Sequence, residues 1–124
     1  YAIDVENDGD IDVLSASKGD YVDWYENDGS QNFTSHNITT NADYAMSVYA
    51  IDVDGDGDID VLSASMSDDT IAWYENDGNA NPTWTAQNIA TSADGASSVY
   101  AADMDGDGDM DIVSASYNDD TFAQ

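Results

Sequence analysis

The sequence predicts an all-β fold made of repeated units of four antiparallel strands, and three observations carry that reading. One segment occurs three times, as YAIDVENDGDIDVLSAS from Tyr1, YAIDVDGDGDIDVLSAS from Tyr49 and YAADMDGDGDMDIVSAS from Tyr100. Within the units apolar and polar residues alternate with period 2, the spacing of a strand that lays one face on a core, and no stretch shows helical spacing. Turn residues punctuate the alternating runs at regular intervals, which is how short antiparallel strands are joined.

The second unit gives the elements in order. A first strand is expected from Ser47 to Asp52 and a second from Ile59 to Ser65, on either side of a loop of Asp and Gly. A third runs from Thr70 to Glu75 and a fourth from Trp84 to Ile89. Asn76-Asp77-Gly78 turns the chain after the third, because Asp-Gly supplies the positive φ of a tight reversal. The small residues of Ser63-Ala64-Ser65 suit a crowded strand end. Four antiparallel strands in each repeat of about 40 to 50 residues describe a β-propeller blade. The units divide the chain into residues 1–48, 49–99 and 100–124, and the third stops before the WYENDG block that Trp24 and Trp73 mark in the others. The expectation is therefore an incomplete propeller, two blades plus most of a third. Its partners are then the remaining blades of a longer chain, or identical copies.

Charge narrows the function. The 124 residues hold 27 Asp and Glu against one Lys or Arg, a formal net charge of −26. Such a surface has almost no cation with which to release phosphate counterions, which excludes nucleic acid as a partner, and it is repelled by an anionic membrane. With 41% apolar residues the chain can bury a core, unlike a disordered acidic tail. No apolar run approaches the ~18 residues of a membrane span. Cysteine is absent, which excludes disulfides and thiolate metal sites and agrees with a secreted protein that uses calcium as its staple. Tyr1 to Asp10 has neither the basic nor the apolar region of a signal peptide, so an export signal is expected to lie outside this segment.

The carboxylates are concentrated in three nonapeptides, which hold 15 of the 27. They are Asp4, Glu6, Asp8, Asp10 and Asp12; Asp52, Asp54, Asp56, Asp58 and Asp60; and Asp103, Asp105, Asp107, Asp109 and Asp111. Five like charges in nine residues resist compaction unless a cation sits among them. Ca²⁺ takes 6 to 8 hard oxygen ligands and tolerates irregular geometry, as a general rule of about that coordination number. In the second loop the side chains of Asp52, Asp54, Asp56 and Asp60 and the backbone carbonyl of Asp58 are the expected ligands, with Gly57 at the bend and Gly108 its counterpart in the third. Zn²⁺ is disfavoured for want of nitrogen or sulfur donors, and Mg²⁺ because it gives up water reluctantly. An EF-hand fails the test of its twelfth position, where Ser15, Ser63 and Ser114 stand in place of a bidentate Glu. Three Ca²⁺ are expected, the first held more weakly because Glu6 is one methylene longer than Asp.

The motif Asp-x-Asp-x-Asp-Gly-x-x-Asp at 52–60 and 103–111, with Glu6 altering it at 4–12, resembles the FG-GAP/VCBS repeats of integrin α propeller heads, several calcium-dependent propeller lectins and many secreted bacterial proteins. The resemblance covers nearly the whole chain and implies a blade whose first two strands are joined by the calcium loop. The Phe-Gly of the family name stands here as Tyr44-Ala45 and Gly95-Ala96.

Other residues receive structural readings. Trp24 and Trp73, at equivalent places, are expected to pack between blades, and Trp84 matches Phe33 in the fourth strand. His36 and Lys18 are read as lone surface residues, with no nucleophile recurring near the histidine. A glycosidase-like carboxylate pair is set aside, since the acids are better used as ligands. Asn32 and Asn37 begin glycosylation sequons. The functional expectation is a non-enzymatic, extracellular or cell-surface calcium-binding module for adhesion or assembly. Its alternatives are a calcium-dependent lectin holding glycans between blades, and a purely structural scaffold segment of a long secreted protein or filament.

Overall fold

The computed structural model describes residues 1–118 and 122–123; the end of the third unit at Asp119, Asp120 and Thr121, with Gln124, lies outside them. The elements are all strands: β1 (Ala2–Ile3), β2 (Asp12–Ala16), β3 (Val22–Asn27), β4 (Phe33–Thr39), β5 (Ala45–Ile51), β6 (Asp60–Ser65), β7 (Thr70–Asn76), β8 (Trp84–Ala90), β9 (Ala96–Ala102), β10 (Asp111–Ser116) and β11 (Phe122–Ala123). They form antiparallel sheets in the orders β1-β2-β3-β4, β5-β6-β7-β8 and β11-β10-β9, one sheet for each repeat. Among the described residues no helix is long and apolar enough to cross a membrane. The four strands expected in the second unit agree with β5 to β8 to within two residues at each end.

Period 2 decides which face of each sheet meets which neighbour. In blade 2, Leu62 stands opposite Trp73 and Val61 opposite Tyr74 across the β6–β7 pair. Val61, Ala72 and Tyr74 point to blade 1, where they join Leu14, Val22 and Trp24 in one buried cluster. Leu62, Ala64 and Ile71 point the other way and join Ala96, Val99 and Ala101 of blade 3, with Trp73 packed against them. The tryptophans thus pack between blades, as their repetition implies. Every residue of β6 is buried, because it is the inner part of a sheet covered on both faces.

The outer face of blade 1 has no such cover. Val13 occupies the place of Val61 and faces Tyr25 as Val61 faces Tyr74, yet it is 39% exposed where Val61 is 0%. Phe33 is exposed for the same reason, whereas its counterpart Trp84 packs against the core between blades 1 and 2. A file of tyrosines joins the first strands of the three sheets: Tyr1 meets Tyr49 edge-on at 5.0 Å, and Tyr49 meets Tyr100 at 4.6 Å.

His36 departs from its expected surface role. Its ring stacks on Trp24 at a centroid distance of 4.6 Å, and Nε2 lies 2.7 Å from Glu26 Oε2, so the imidazole is half-buried as the lid of an inter-blade tryptophan. The cross-strand register, Trp24 opposite His36, produces this contact, and only the fold reveals it. Lys18 sits over the Tyr44 ring, 5.1 Å from its centre, a cation–π contact.

Candidate metal centres

Each acidic nonapeptide bridges the first two strands of a blade, β1 to β2, β5 to β6 and β9 to β10. The backbone of the loop is wound around its first aspartate. Asp52 Oδ1 accepts from the N–H of Gly55 at 2.8 Å and of Asp56 at 3.2 Å, and its Oδ2 accepts from Gly57 N–H at 2.9 Å. Asp103 repeats the set with Gly106, Asp107 and Gly108 at 2.7, 3.1 and 2.9 Å. Asp4 accepts from Asp8 and Gly9 at 3.1 and 2.9 Å. The bend falls at Gly57, with φ of 96°, and at Gly9 and Gly108 with nearly the same value, a conformation that L side chains avoid. Where the other loops have Gly55 and Gly106, the first has Asn7, which also takes a positive φ of 59°.

The last aspartate is a pin. Asp60 is fully buried, and its Oδ2 accepts from Val53 N–H at 3.0 Å while Oδ1 accepts from Asn76 N–H at 2.9 Å. Asp12 is buried likewise and holds Val5 and Asn27 at 2.9 and 2.8 Å. Asp111 holds Met104 at 2.9 Å. Burial pushes the Asp60 carboxyl up from the usual range, while the two backbone donors pull it back.

The structure gathers three of the five acids in every loop: Asp4, Glu6 and Asp12; Asp52, Asp54 and Asp60; Asp103, Asp105 and Asp111. One carboxylate oxygen from each lies within 4.8 Å of the others of its group. The remaining acids turn elsewhere. Asp56 Oδ1 accepts from Asp58 N–H at 2.9 Å, with Asp8 and Asp107 accepting from Asp10 and Asp109 in the same way. The Asp58 carboxylate lies over Gly78, as that of Asp10 lies over Gly29. Burial, followed by the charges of Asp56, Asp52, Asp54 and Asp77, raises the Asp58 pKa.

The donor set is all hard oxygen, which fits Ca²⁺ by chemistry. Glu6 adds a further sign: both of its oxygens are shut off from solvent, with the Asp12 carboxyl beside them. Burial, with Asp12 beside it, pushes its pKa up to about 8. Neighbouring loops also face one another. Asp52, Val53, Asp54 and Gly55 line one side of a crevice whose other side is Gly108, Asp109 and Met110. The repulsion within the second and third loops is therefore compounded between their blades.

Two kinds of residue escaped the sequence reading. Asn76, read only as part of a turn, and its counterpart Asn27 brace the acidic loops: their Nδ2 groups donate to Ile59 O at 2.9 Å and Ile11 O at 3.0 Å, and their Oδ1 atoms accept from Gly78 and Gly29 N–H. Gly29 and Gly78 do more than turn the chain, since a Cβ at either place would collide with the carboxylate of Asp10 or Asp58. The recurrence of YENDG after the first and second acidic loops was the available signal.

No curated protein and no solved structure matches the chain. The family model described as FG-GAP-like repeat matches twice, at residues 4–63 and 52–114, each match running from one acidic loop into the second strand of the next blade. With the repeated four-stranded sheets and the loop between the first two strands of each, that coverage places the chain in the FG-GAP-like repeat family.

Proposed function

We propose that this chain is a calcium-holding, non-catalytic propeller segment of an extracellular or cell-surface protein, serving adhesion or assembly through the blades that calcium stiffens. The observation that carries the reading is the threefold recurrence of one arrangement: a first aspartate wound in backbone N–H groups, a pinned last aspartate, and a third carboxylate that closes the group. Asp4, Glu6 and Asp12, Asp52, Asp54 and Asp60, and Asp103, Asp105 and Asp111 would hold the ions. Asp8, Asp10, Asp56, Asp58, Asp107 and Asp109 complete the oxygen-rich surroundings. A bound cation supplies charge neutralisation, so that loops which otherwise repel themselves and each other can stay compact.

The uncovered face around Val13, Tyr25 and Phe33 supports neighbouring blades of the same kind as the immediate partners, since its counterpart on blade 2 is the covered half of an inter-blade core. Calorimetric titration with Ca²⁺ tests the reading. Three ions per chain are expected, with affinities of ~10⁻⁴ to 10⁻³ M as in extracellular modules. Each site then stabilises the fold by about 2.7 kcal/mol when free calcium is ~100-fold above its dissociation constant. No heat of binding, together with a melting temperature indifferent to EDTA, would refute it.

A further inference from the structure

The repeat brings one phenol of each unit into a single file. Tyr49 and Tyr100 stand a whole repeat apart in sequence, in the first strands of blades 2 and 3, opposite Leu62 and Val113. Tyr49 packs against the core between those blades, whereas Tyr100 is 54% exposed. Their ring centres are 4.6 Å apart and their planes are tilted by 50°, at the short end of the ~4.5 to 7 Å spacing of aromatic pairs. Burial, followed by the hydroxyls of Tyr100 and Tyr1 beside it, holds the Tyr49 phenol above its ordinary value. The hydroxyl ends of the rings therefore converge.

That geometry suits one reaction of phenols. When a peroxidase removes one electron and one proton from each of two tyrosines, the unpaired electrons spread onto the ring carbons beside the hydroxyls. Two such carbons form a C–C bond. Their two hydrogens then pass as protons to the phenol oxygens, which restores both aromatic rings, and one hydrogen peroxide accepts the two electrons and two protons taken at the start and leaves as two waters. The chain loses two hydrogen atoms and gains a dityrosine.

Three observations favour this pair over random coupling. The exposed Tyr100 ring offers an oxidant its point of entry, and Tyr49 lies directly behind it. Tyr21 and Tyr117 are exposed as well, but among the described residues neither has a ring against it. The net charge of −26 keeps copies of the chain apart, so coupling within one molecule outruns coupling between two. A covalent tie also has no rival here, because cysteine is absent. We propose that Tyr49 and Tyr100 form an oxidative cross-linking site, joined by a peroxidase and hydrogen peroxide into a dityrosine that staples blade 2 to blade 3, with Tyr1, 5.0 Å from Tyr49 on its other side, as the lesser partner. The staple closes a loop of one repeat and restricts the unfolded chain, as a disulfide does. It does not depend on the calcium reading.

The test is treatment of the dilute, calcium-saturated chain with a haem peroxidase and hydrogen peroxide. Dityrosine fluorescence is expected in material that still migrates as a single chain, and peptide mass spectrometry should join the Tyr49 peptide chiefly to the Tyr100 peptide, with two hydrogen atoms lost. Tyr49→Phe should abolish the single-chain fluorescence, Tyr100→Phe should reduce it by more than half, and Tyr117→Phe should leave it unchanged. The cross-linked chain should unfold at a higher denaturant concentration than the untreated one. Fluorescence confined to covalently joined copies, or persisting in single chains of Tyr49→Phe, would overturn the proposal, as would an unchanged unfolding midpoint. If Tyr49→Phe fails to fold, Tyr100→Phe decides: undiminished single-chain fluorescence in that variant refutes the pairing.

Discussion

The backbone N–H of Asn76 reaches Asp60 Oδ1 at 2.9 Å, so the last acid of the second loop is held by the strand end that follows it by 16 residues. The same carboxylate takes Val53 N–H on its other oxygen, and the pin thereby closes the loop at its start and at its flank. Asp12 repeats the arrangement with Val5 and Asn27. A residue expected to serve as a calcium ligand is also the point where the loop is fastened to the sheet.

Asp60→Asn tests the pin directly. An amide can accept from one of the two backbone donors but turns its NH₂ on the other, leaving buried donors face to face. The calcium-free protein should lose about 1 to 3 kcal/mol of stability by denaturant unfolding. An unchanged unfolding midpoint would show that the two hydrogen bonds contribute nothing to the fold.

The glycines separate two causes of intolerance. Gly55 has φ of 80° but open space where a Cβ would stand, and Asn7 fills the equivalent place in the first loop, so Gly55→Asn should change stability little. At Gly78, with φ of 72°, a side chain also meets the Asp58 carboxylate. Gly78→Ala should therefore cost about 1 to 2 kcal/mol from the backbone alone, and more from the clash. Thermal melts of the two variants in EDTA are the comparison, and an equal loss in both would refute the role given to Asp58.

Glu6 makes the calcium-free chain sensitive to pH. Its carboxyl is raised by burial, and by Asp12 beside it, from an ordinary 4.5 to about 8. Across that window the folded chain retains a proton that the unfolded chain has released, so this group's contribution to stability falls as pH rises through it. Glu6→Gln should flatten the pH dependence measured in EDTA, and equal slopes for the two proteins would show that Glu6 is not the source. Calcium binding at the first loop should release a proton near neutral pH, seen as a heat that varies with the ionisation enthalpy of the buffer.

Much of this was legible in the sequence because the relevant signals are local or repeated. Period 2 and the Asp-Gly turns fixed the strands, and three copies of one acidic nonapeptide marked the loops in which the structure gathers three carboxylates each. Trp24 and Trp73 could be placed between blades because repetition of a large side chain implies packing. What stayed hidden depends on contacts across distance. The braces at Asn27 and Asn76 join residues 16 or 17 apart to a loop in another strand pair, and His36 found Trp24 only through the β3–β4 register.

Val13 and Val61 are the same residue in the same repeat position, and their fates on substitution should differ most. At Val61 a carboxylate would enter a core between Trp24 and Tyr74 with no partner, and Val61→Asp should prevent folding or cost more than about 4 kcal/mol. At Val13 the side chain already meets solvent, so Val13→Asp in the chain alone should stay within about 0.5 kcal/mol of the parent. The two results together would show that the face, rather than the residue type, sets the cost. The second half of the prediction concerns company. If a neighbouring blade covers this face as blade 1 covers that of blade 2, Val13 becomes a counterpart of Val61, and the same substitution should disrupt the larger assembly while sparing the isolated chain. Unfolding of Val13→Asp is therefore to be measured both in the isolated chain and joined to a further blade of the repeat. An equal, small effect in both settings would show that the exposed face around Val13, Tyr25 and Phe33 is not a blade-docking surface.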